Sequence, residues 1–186
     1  RHFSSARRKL CWRAPPIIPA RSKEQTFRFT APSLHCKEAI LQSPMREPIP
    51  LETENGLYLP ELELFLDSRH PRENGFISHA HADHFGRHEN ILCSEPTAHI
   101  LKARYNVADE RLNPQPFHEP LEVGPYRLQL LPAGHIYGSA MLHVTRIKDR
   151  ESLLYTGDFK LHRGLTTENP VFRQADTLII CLLYTS

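Results

Sequence analysis

The chain has few cysteines, no long apolar run and no glycine-rich loop, and each absence excludes a class of protein. Only 4 of its 186 residues are cysteine. No disulfide framework can be drawn from them, which favours a reducing, cytoplasmic location. No run of 18 or more apolar residues exists, so the sequence predicts no membrane-spanning helix. The 8 glycines form no loop that could cradle a nucleotide phosphate.

Charge is divided unevenly along the chain. Residues 1–44 carry 9 basic and 2 acidic residues, whereas the remainder carries 14 basic and 19 acidic residues. We expect residues 1–44 to be a basic, low-order leader outside the native coding sequence; an organellar transit peptide and a basic arm for nucleic acid are the alternatives. Residues 181–186 match the translation of a transposon-end sequencing adapter, so we expect an assembly scar there. Residues 45–180 are long enough for one domain.

Four potential metal ligands lie within six positions: His79, His81, Asp83 and His84. The apolar segment 75–78 before them is typical of a buried strand, so the first two histidines leave its carboxyl end with their side chains on one side. The aspartate and the last histidine precede residues 85–88, which predict a short helical turn directing them to a second position. Imidazoles and a carboxylate suit zinc, with manganese or iron as alternatives.

Two later segments each place one more potential ligand at the end of a strand-like run. Residues 126–131 alternate like a strand and lead into a small-residue loop that carries His135. Loops at strand ends are common positions for ligands. Residues 152–156 form another strand-like run and deliver Asp158, where Gly157 lets the backbone turn sharply. Asp158 is therefore well placed to bridge two ions.

These three blocks, in this order, resemble the metallo-β-lactamase superfamily. Two strings, Ala-Gly-His-Ile-Tyr-Gly-Ser-Ala at 133–140 and Tyr-Thr-Gly-Asp-Phe at 155–159, are similar to those of its β-CASP nucleases. That branch includes ribonuclease J, the pre-mRNA cleavage endonuclease and DNA exonucleases; bacterial ligase-associated or RNA-processing exonucleases are the most similar. The resemblance runs from about Glu52 to Ile180. It implies an α/β fold, the αββα sandwich, of which residues 45–180 supply about the first half.

The same resemblance implies a role for each candidate residue. One ion would be held by His79, His81 and His135. The other would be held by Asp83, His84 and Asp158, with Asp158 bridging both ions and the two aspartates acting in catalysis. Asp67 matches the family's first acidic position, and we expect it to orient the histidines through hydrogen bonds without binding metal. The implied cofactor is two divalent ions, zinc before manganese or iron. The general acid and a last histidine would come from beyond this chain, so we expect the chain alone to be inactive.

Three functions are compatible with these residues. The preferred one is a dinuclear-metal hydrolase that cleaves phosphodiester bonds of RNA or DNA, as a β-CASP-like exonuclease. Two close cations suit this chemistry because they activate water and neutralise charge on the phosphate. The second is a hydrolase of a small ester, thioester or lactam, and the third is a non-catalytic metal-binding protein. The acidic balance after Pro44 shows no basic footprint, so a nucleic-acid partner rests on the resemblance alone.

Helix and strand signals fill the remaining sequence. Ser94 is a good N-cap for a helix over residues 95–105. Residues 113–120, with three prolines, predict a loop. Strands are predicted at 56–59, 62–67, 91–94, 139–147, 152–156 and 175–180, with 139–147 and 152–156 as a hairpin. Ordinary surface or core positions are expected for Cys93 and for His88, His99, His118, His143 and His162.

Overall fold

The computed structural model describes residues 46–162 and 164–181. The chain divides into two units between Pro44 and Met45, and the described residues belong to the second unit. The predicted leader at 1–44 and all but the first residue of the predicted scar at 181–186 lie outside the described residues. Both interpretations therefore stay predictions.

One five-stranded sheet is formed by the first half of the described residues. Its strands follow chain order: β1 (Tyr58–Leu59), β2 (Leu64–Leu66), β3 (Asn74–Phe76), β4 (Asn90–Ser94) and β5 (Leu112–Gln115). β1 pairs antiparallel with β2 across a 3-10 helix, Pro60–Leu62, and β2 to β5 are parallel. Because parallel strands end at the same edge, the carboxyl ends of β2, β3 and β4 lie together.

A second five-stranded sheet follows, with the order β10-β9-β8-β7-β6. Its strands are β6 (Pro120–Val123), β7 (Tyr126–Pro132), β8 (Ala140–Arg146), β9 (Ser152–Tyr155) and β10 (Thr177–Ile179). All neighbours are antiparallel except β9 and β10, which are parallel. The predicted hairpin is confirmed as β8 and β9, because these strands pair antiparallel from Leu142 opposite Tyr155 to Thr145 opposite Ser152.

The two sheets share one apolar core. Leu66 and Phe76 of the first sheet belong to the same buried cluster as Leu128, Leu142 and Leu153 of the second. Successive side chains of a strand point to opposite faces, so the intervening residues of β7, β8 and β9 form a separate cluster on the outer face: Leu131, Met141 and Leu154. The sheets therefore pack face to face, as in a β-sandwich.

Helix α1 (Glu95–Tyr105) covers the outer face of the first sheet, and its predicted bounds are confirmed. Ser94 caps it, since its hydroxyl oxygen accepts a hydrogen bond from the Thr97 backbone N–H at 3.2 Å. Leu101 of α1 packs in one buried cluster with Ile91 and Cys93 of β4. The described residues thus form three layers, helix on sheet on sheet, of the predicted αββα sandwich, and the α/β fold class is confirmed.

Two edge strands depart from the sequence predictions. Residues 113–120 are not simply a loop, because β5 covers 112–115 and β6 begins at Pro120. Pro114 lacks a backbone N–H, yet it fits because β5 is an edge strand and pairs only with β4. The predicted strand at 62–67 is shorter, since Leu62 ends the 3-10 helix. Among the described residues, no helix has the length and apolar character needed to cross a membrane.

Candidate metal centre

The first block of ligands begins just beyond β3, where the backbone joins the two sheets. The Ile77 N–H donates to the Leu92 carbonyl at 2.9 Å and continues the pairing with β4. The Ser78 carbonyl accepts the Ala140 N–H, the first residue of β8, at 2.8 Å. Residues 82–84 then form a turn, with the His84 N–H facing the His81 carbonyl at 3.3 Å. The prediction of a helical turn at 85–88 is wrong, since these described residues are irregular and the turn at 82–84 places His84 instead.

One group of ligand atoms forms where β3, β7 and β9 end. His79, His81, His135 and Asp158 each offer an atom within 4.8 Å of all the others. Nδ1 of His81 lies 2.9 Å from Nε2 of His79 and 3.3 Å from Nε2 of His135. Oδ2 of Asp158 lies 3.4 Å from the same His135 nitrogen. The structure therefore brings together all three residues predicted for the first ion, with Asp158 beside them.

A second group lies on the other side of Asp158. Its Oδ1 is 3.4 Å from Nε2 of His84, and the third member of this group is Cys181. Asp83, predicted for this ion, has one carboxylate oxygen 3.9 Å from the same His84 nitrogen, and its side chain is 53% exposed. Cys181 was not predicted as a ligand. It is the first residue of the predicted scar at 181–186, which is why it was left out of the candidate ligands.

Glycine at 157 allows the end of β9 to approach the first block. Gly157 has a φ of +51°, and a Cβ on it would meet the Ser78 side chain at 2.6 Å. Any larger residue would be strained by its backbone angle and would push Asp158 away from the histidines. The turn that the sequence predicts at Gly157 is present.

Asp67, directly after β2, accepts hydrogen bonds from both sides of the ligand block. Its Oδ1 accepts the Ser78 backbone N–H at 2.7 Å. Its Oδ2 accepts the Ser78 hydroxyl at 2.6 Å and the Tyr155 hydroxyl at 2.8 Å, and it lies 2.9 Å from Nδ1 of His84. Asp67 has a φ of +45°, which turns the chain sharply at the strand end. One buried carboxylate thus connects the ends of three strands.

These hydrogen bonds assign the ring nitrogens of two histidines. Because Asp67 is an acceptor, Nδ1 of His84 carries the proton and Nε2 is left with its lone pair facing Asp158. The Ser78 hydroxyl donates to Asp67, so its oxygen is free to accept from Nδ1 of His79 at 3.0 Å. Nε2 of His79 is then the free nitrogen, and it faces His81. Both rings present the atom that a metal ion requires.

Burial favours the neutral form of two of these histidines, His79 and His135. Burial lowers the pKa of His79 to about 2, helped by the nearby rings of His84, His81 and His135. Burial also lowers the pKa of His135, against the opposing charge of Asp158. His84 differs: burial lowers its pKa, but the hydrogen bond and charge of Asp67 outweigh that and leave the pKa raised. Neutral imidazoles are the form that binds metal.

The donor set fits divalent cations. Asp158 is 4% exposed, and neither of its oxygens has a hydrogen-bond partner among residues 46–162 and 164–181. Burying a carboxylate without donors is costly unless a cation compensates it. The ring nitrogens of His79, His81 and His135 beside it face each other at 2.9 to 3.3 Å. Nitrogen and carboxylate oxygen are ligands that zinc accepts, and the Cys181 thiol would be a third type.

The other histidines lie outside both ligand groups found among the described residues. His99 and His162 are exposed, and His143 is buried in β8. His88 is fully buried, so it is a core residue. Cys93 is also fully buried, and burial raises the pKa of its thiol to about 12. A buried thiol with that pKa is not a nucleophile, as predicted.

His88 should make stability depend on pH. Burial, with the charge of Arg111, lowers its folded pKa to about 4, whereas an unfolded histidine titrates near 6.5. The unfolded chain therefore binds the extra proton, and the stabilisation is lost as pH falls from about 6.5 to about 4. The loss amounts to roughly 3 kcal/mol. His88→Gln should flatten this part of the pH profile of the unfolding free energy, measured with urea; parallel profiles for both proteins would contradict the assignment.

The chain is similar in sequence to known proteins that are named for their work on DNA or in transcription. No protein-family model matches the chain. The chain is 40% identical over 134 residues to a probable DNA ligase of Opitutus terrae, covering 72% of this chain and 13% of that protein. It is 29% identical over 105 residues to the DNA cross-link repair protein SNM1 of Arabidopsis thaliana, covering 53% and 22%. It is 28% identical over 156 residues to the transcription termination factor FttA of Methanothermobacter thermautotrophicus, covering 66% and 24%.

The chain therefore spans less than a quarter of the length of each of these relatives. Together, the motif wording and the similarity to the ligase and cross-link repair proteins show that the chain belongs to the metallo-β-lactamase superfamily, in its β-CASP branch.

Proposed function

We propose that the complete gene product is a metal-dependent nuclease that hydrolyses phosphodiester bonds of RNA or DNA. The observation that carries the proposal is the placement of Asp158, whose two oxygens face different groups of ligands. Oδ2 lies 3.4 Å from His135 and Oδ1 lies 3.4 Å from His84. A single buried carboxylate in that position suits a pair of cations better than one.

Each ligand then has an assigned place. Three histidines would hold the first ion: His79, His81 and His135. Asp83, His84 and Asp158 would hold the second, with Asp158 shared between the two. The preferred ion is zinc, since imidazole nitrogen dominates the set, with manganese or iron as alternatives. Two such ions would supply the chemistry of hydrolysis by activating water and neutralising charge on the phosphate.

The chain's own residues perform the remaining steps. Asp67 and Ser78 hold His79 and His84 in the tautomers that leave Nε2 free. Asp83 is the most exposed carboxylate of the cluster. Its exposed side chain is accessible to water, so we assign it the role of accepting a proton from the attacking water. Asp158, which is almost fully buried, lies between His84 and His135.

Nucleic acid is the proposed substrate because of the relatives. One is called a DNA cross-link repair protein and another a transcription termination factor, so the names refer to DNA and to transcription. A β-CASP-type exonuclease acting on either polymer is consistent with both. The free, buried Cys93 agrees with the predicted cytoplasmic location, where thiols stay reduced.

Metal content and cleavage of an oligonucleotide test the proposal together. We expect the purified complete gene product to contain about two zinc ions per chain by elemental analysis. It should shorten a labelled single-stranded oligonucleotide. This cleavage should be lost after treatment with a chelator and restored when zinc or manganese is added. Uptake of no metal would contradict the proposal. Hydrolysis of a small ester, thioester or lactam with no cleavage of RNA or DNA would favour the alternative hydrolase instead.

A further inference from the structure

The loop that carries His135 is fastened to the first turn of α1, more than forty residues away in sequence. The Gly138 carbonyl accepts the Ser94 hydroxyl at 2.6 Å and the Thr97 hydroxyl at 2.9 Å. Both hydroxyl residues are fully buried. The Gly138 N–H is held as well, because it donates to Glu168 Oε2 at 3.0 Å. The peptide groups on both sides of Gly138 are therefore fixed by side chains from elsewhere.

Close contact with α1 explains why residue 138 is glycine. Gly138 has a φ of +81°, and a Cβ there would lie 2.8 Å from Cβ of Pro96 and 2.8 Å from the Thr97 nitrogen. A side chain at this position would push the loop away from the helix. The Ser94 and Thr97 hydroxyls can reach the Gly138 carbonyl because the loop lies this close to the helix.

Ser139 connects the fixed Gly138 to the backbone of His135. The Ser139 hydroxyl oxygen faces the His135 backbone N–H at 2.9 Å and the Ile136 N–H at 3.3 Å. The Ser139 carbonyl accepts the Ala133 N–H at 2.8 Å, which closes the loop. Ser139 is fully buried and adjacent to Gly138. A shift of Gly138 would therefore move Ser139 and, with it, the backbone of His135.

We propose that Ser94 and Thr97 are positioning residues for the metal centre, acting through Gly138 on His135. The proposal rests on His135 being a metal ligand, as under the proposed function. Of the two residues, Thr97 is the better one to substitute, because its hydroxyl has a single role. Ser94 also caps the helix by accepting the Thr97 backbone N–H, whereas the Thr97 hydroxyl makes its hydrogen bond to Gly138 alone among the described contacts.

Zinc affinity of the 186-residue chain, measured by competition with a chromophoric chelator, tests this proposal without requiring activity. Thr97→Val keeps the shape and removes the donor, and we expect zinc to bind about 10-fold more weakly, the size of effect seen for partners of metal ligands. Thr97→Ser restores a hydroxyl and should bind zinc as the unchanged chain does. The double variant Ser94→Ala with Thr97→Val removes both donors and should lose more affinity than Thr97→Val.

A matched control separates positioning from helix stability. Ala103 is exposed in α1, and Ala103→Gly weakens the helix by an amount typical of an exposed glycine. We expect Ala103→Gly to lower the melting temperature and leave zinc affinity unchanged. The proposal is overturned if Thr97→Val binds zinc normally, or if Ala103→Gly loses as much affinity. Should the double variant not fold, Thr97→Val decides alone. If the unchanged chain binds no zinc, the same variants are compared in the complete gene product, and absence of zinc there as well means that the proposed function itself fails.

Discussion

Replacing Asp158 with alanine should abolish hydrolysis and reduce the bound metal below that of the unchanged protein. Asp158 is the one described residue that belongs to both ligand groups. Removing it takes a ligand from each ion and a buried negative charge that lies close to both His79 and His135. Loss of a partner of a ligand costs about 10- to 100-fold in affinity or activity, so loss of a shared ligand should exceed ~100-fold.

Asp176 provides the matched control for this variant. It is also an aspartate in the second half of the chain, but its carboxylate bonds with Ser152 and lies 3.9 Å from Arg46 at the surface. Asp176→Ala should leave metal content and oligonucleotide cleavage unchanged. Metal content is measured by elemental analysis after gel filtration, and cleavage with a labelled oligonucleotide. An Asp158→Ala protein that retains two ions and full activity would contradict the bridging role.

The residues of the candidate metal centre could be located from sequence because the information is local. His79 to His84 form one block, and Gly157 and Asp158 follow a strand directly, so the periodicity of the strand also locates the ligand. Helix α1 was predictable for the same reason, since Ser94 marks its start and an asparagine, Asn106, stands in the left-handed conformation at its end. Local signals of this kind do not depend on how the sheets pack.

Contacts between distant segments could not be predicted in the same way. The hydrogen bond from Tyr155 to Asp67 joins residues 88 positions apart, and that from Ser94 to Gly138 spans 44 positions. The periodicity of helices and strands in the sequence does not indicate which distant residues will be in contact. The edge strand β5 was missed because proline is a loop signal, and only the position of β5 at a sheet edge makes Pro114 acceptable there. Cys181 joined the second group through the placement of β10.

Asp67→Ala is expected to destabilise the fold and weaken metal binding together. The variant leaves four donors without their acceptor: the Ser78 N–H, the Ser78 hydroxyl, the Tyr155 hydroxyl and Nδ1–H of His84. Removing one partner of a buried charged network costs about 3–5 kcal/mol. Urea unfolding of the metal-free chain measures this loss. An unfolding free energy equal to that of the unchanged chain would show that these hydrogen bonds are replaced by water.

Asp67→Asn separates the charge of Asp67 from its shape, and pH provides the readout. The carboxylate of Asp67 holds the pKa of His84 above its ordinary 6.5, against the effect of burial. A raised folded pKa contributes stability that is fully present below about pH 6.5 and is lost as pH rises through the folded pKa. The substituted amide carries no charge, so this contribution should disappear. The stability difference between the two metal-free proteins should therefore be larger at about pH 6 than at about pH 9, and an equal difference at both would mean that Asp67 acts on His84 by shape alone.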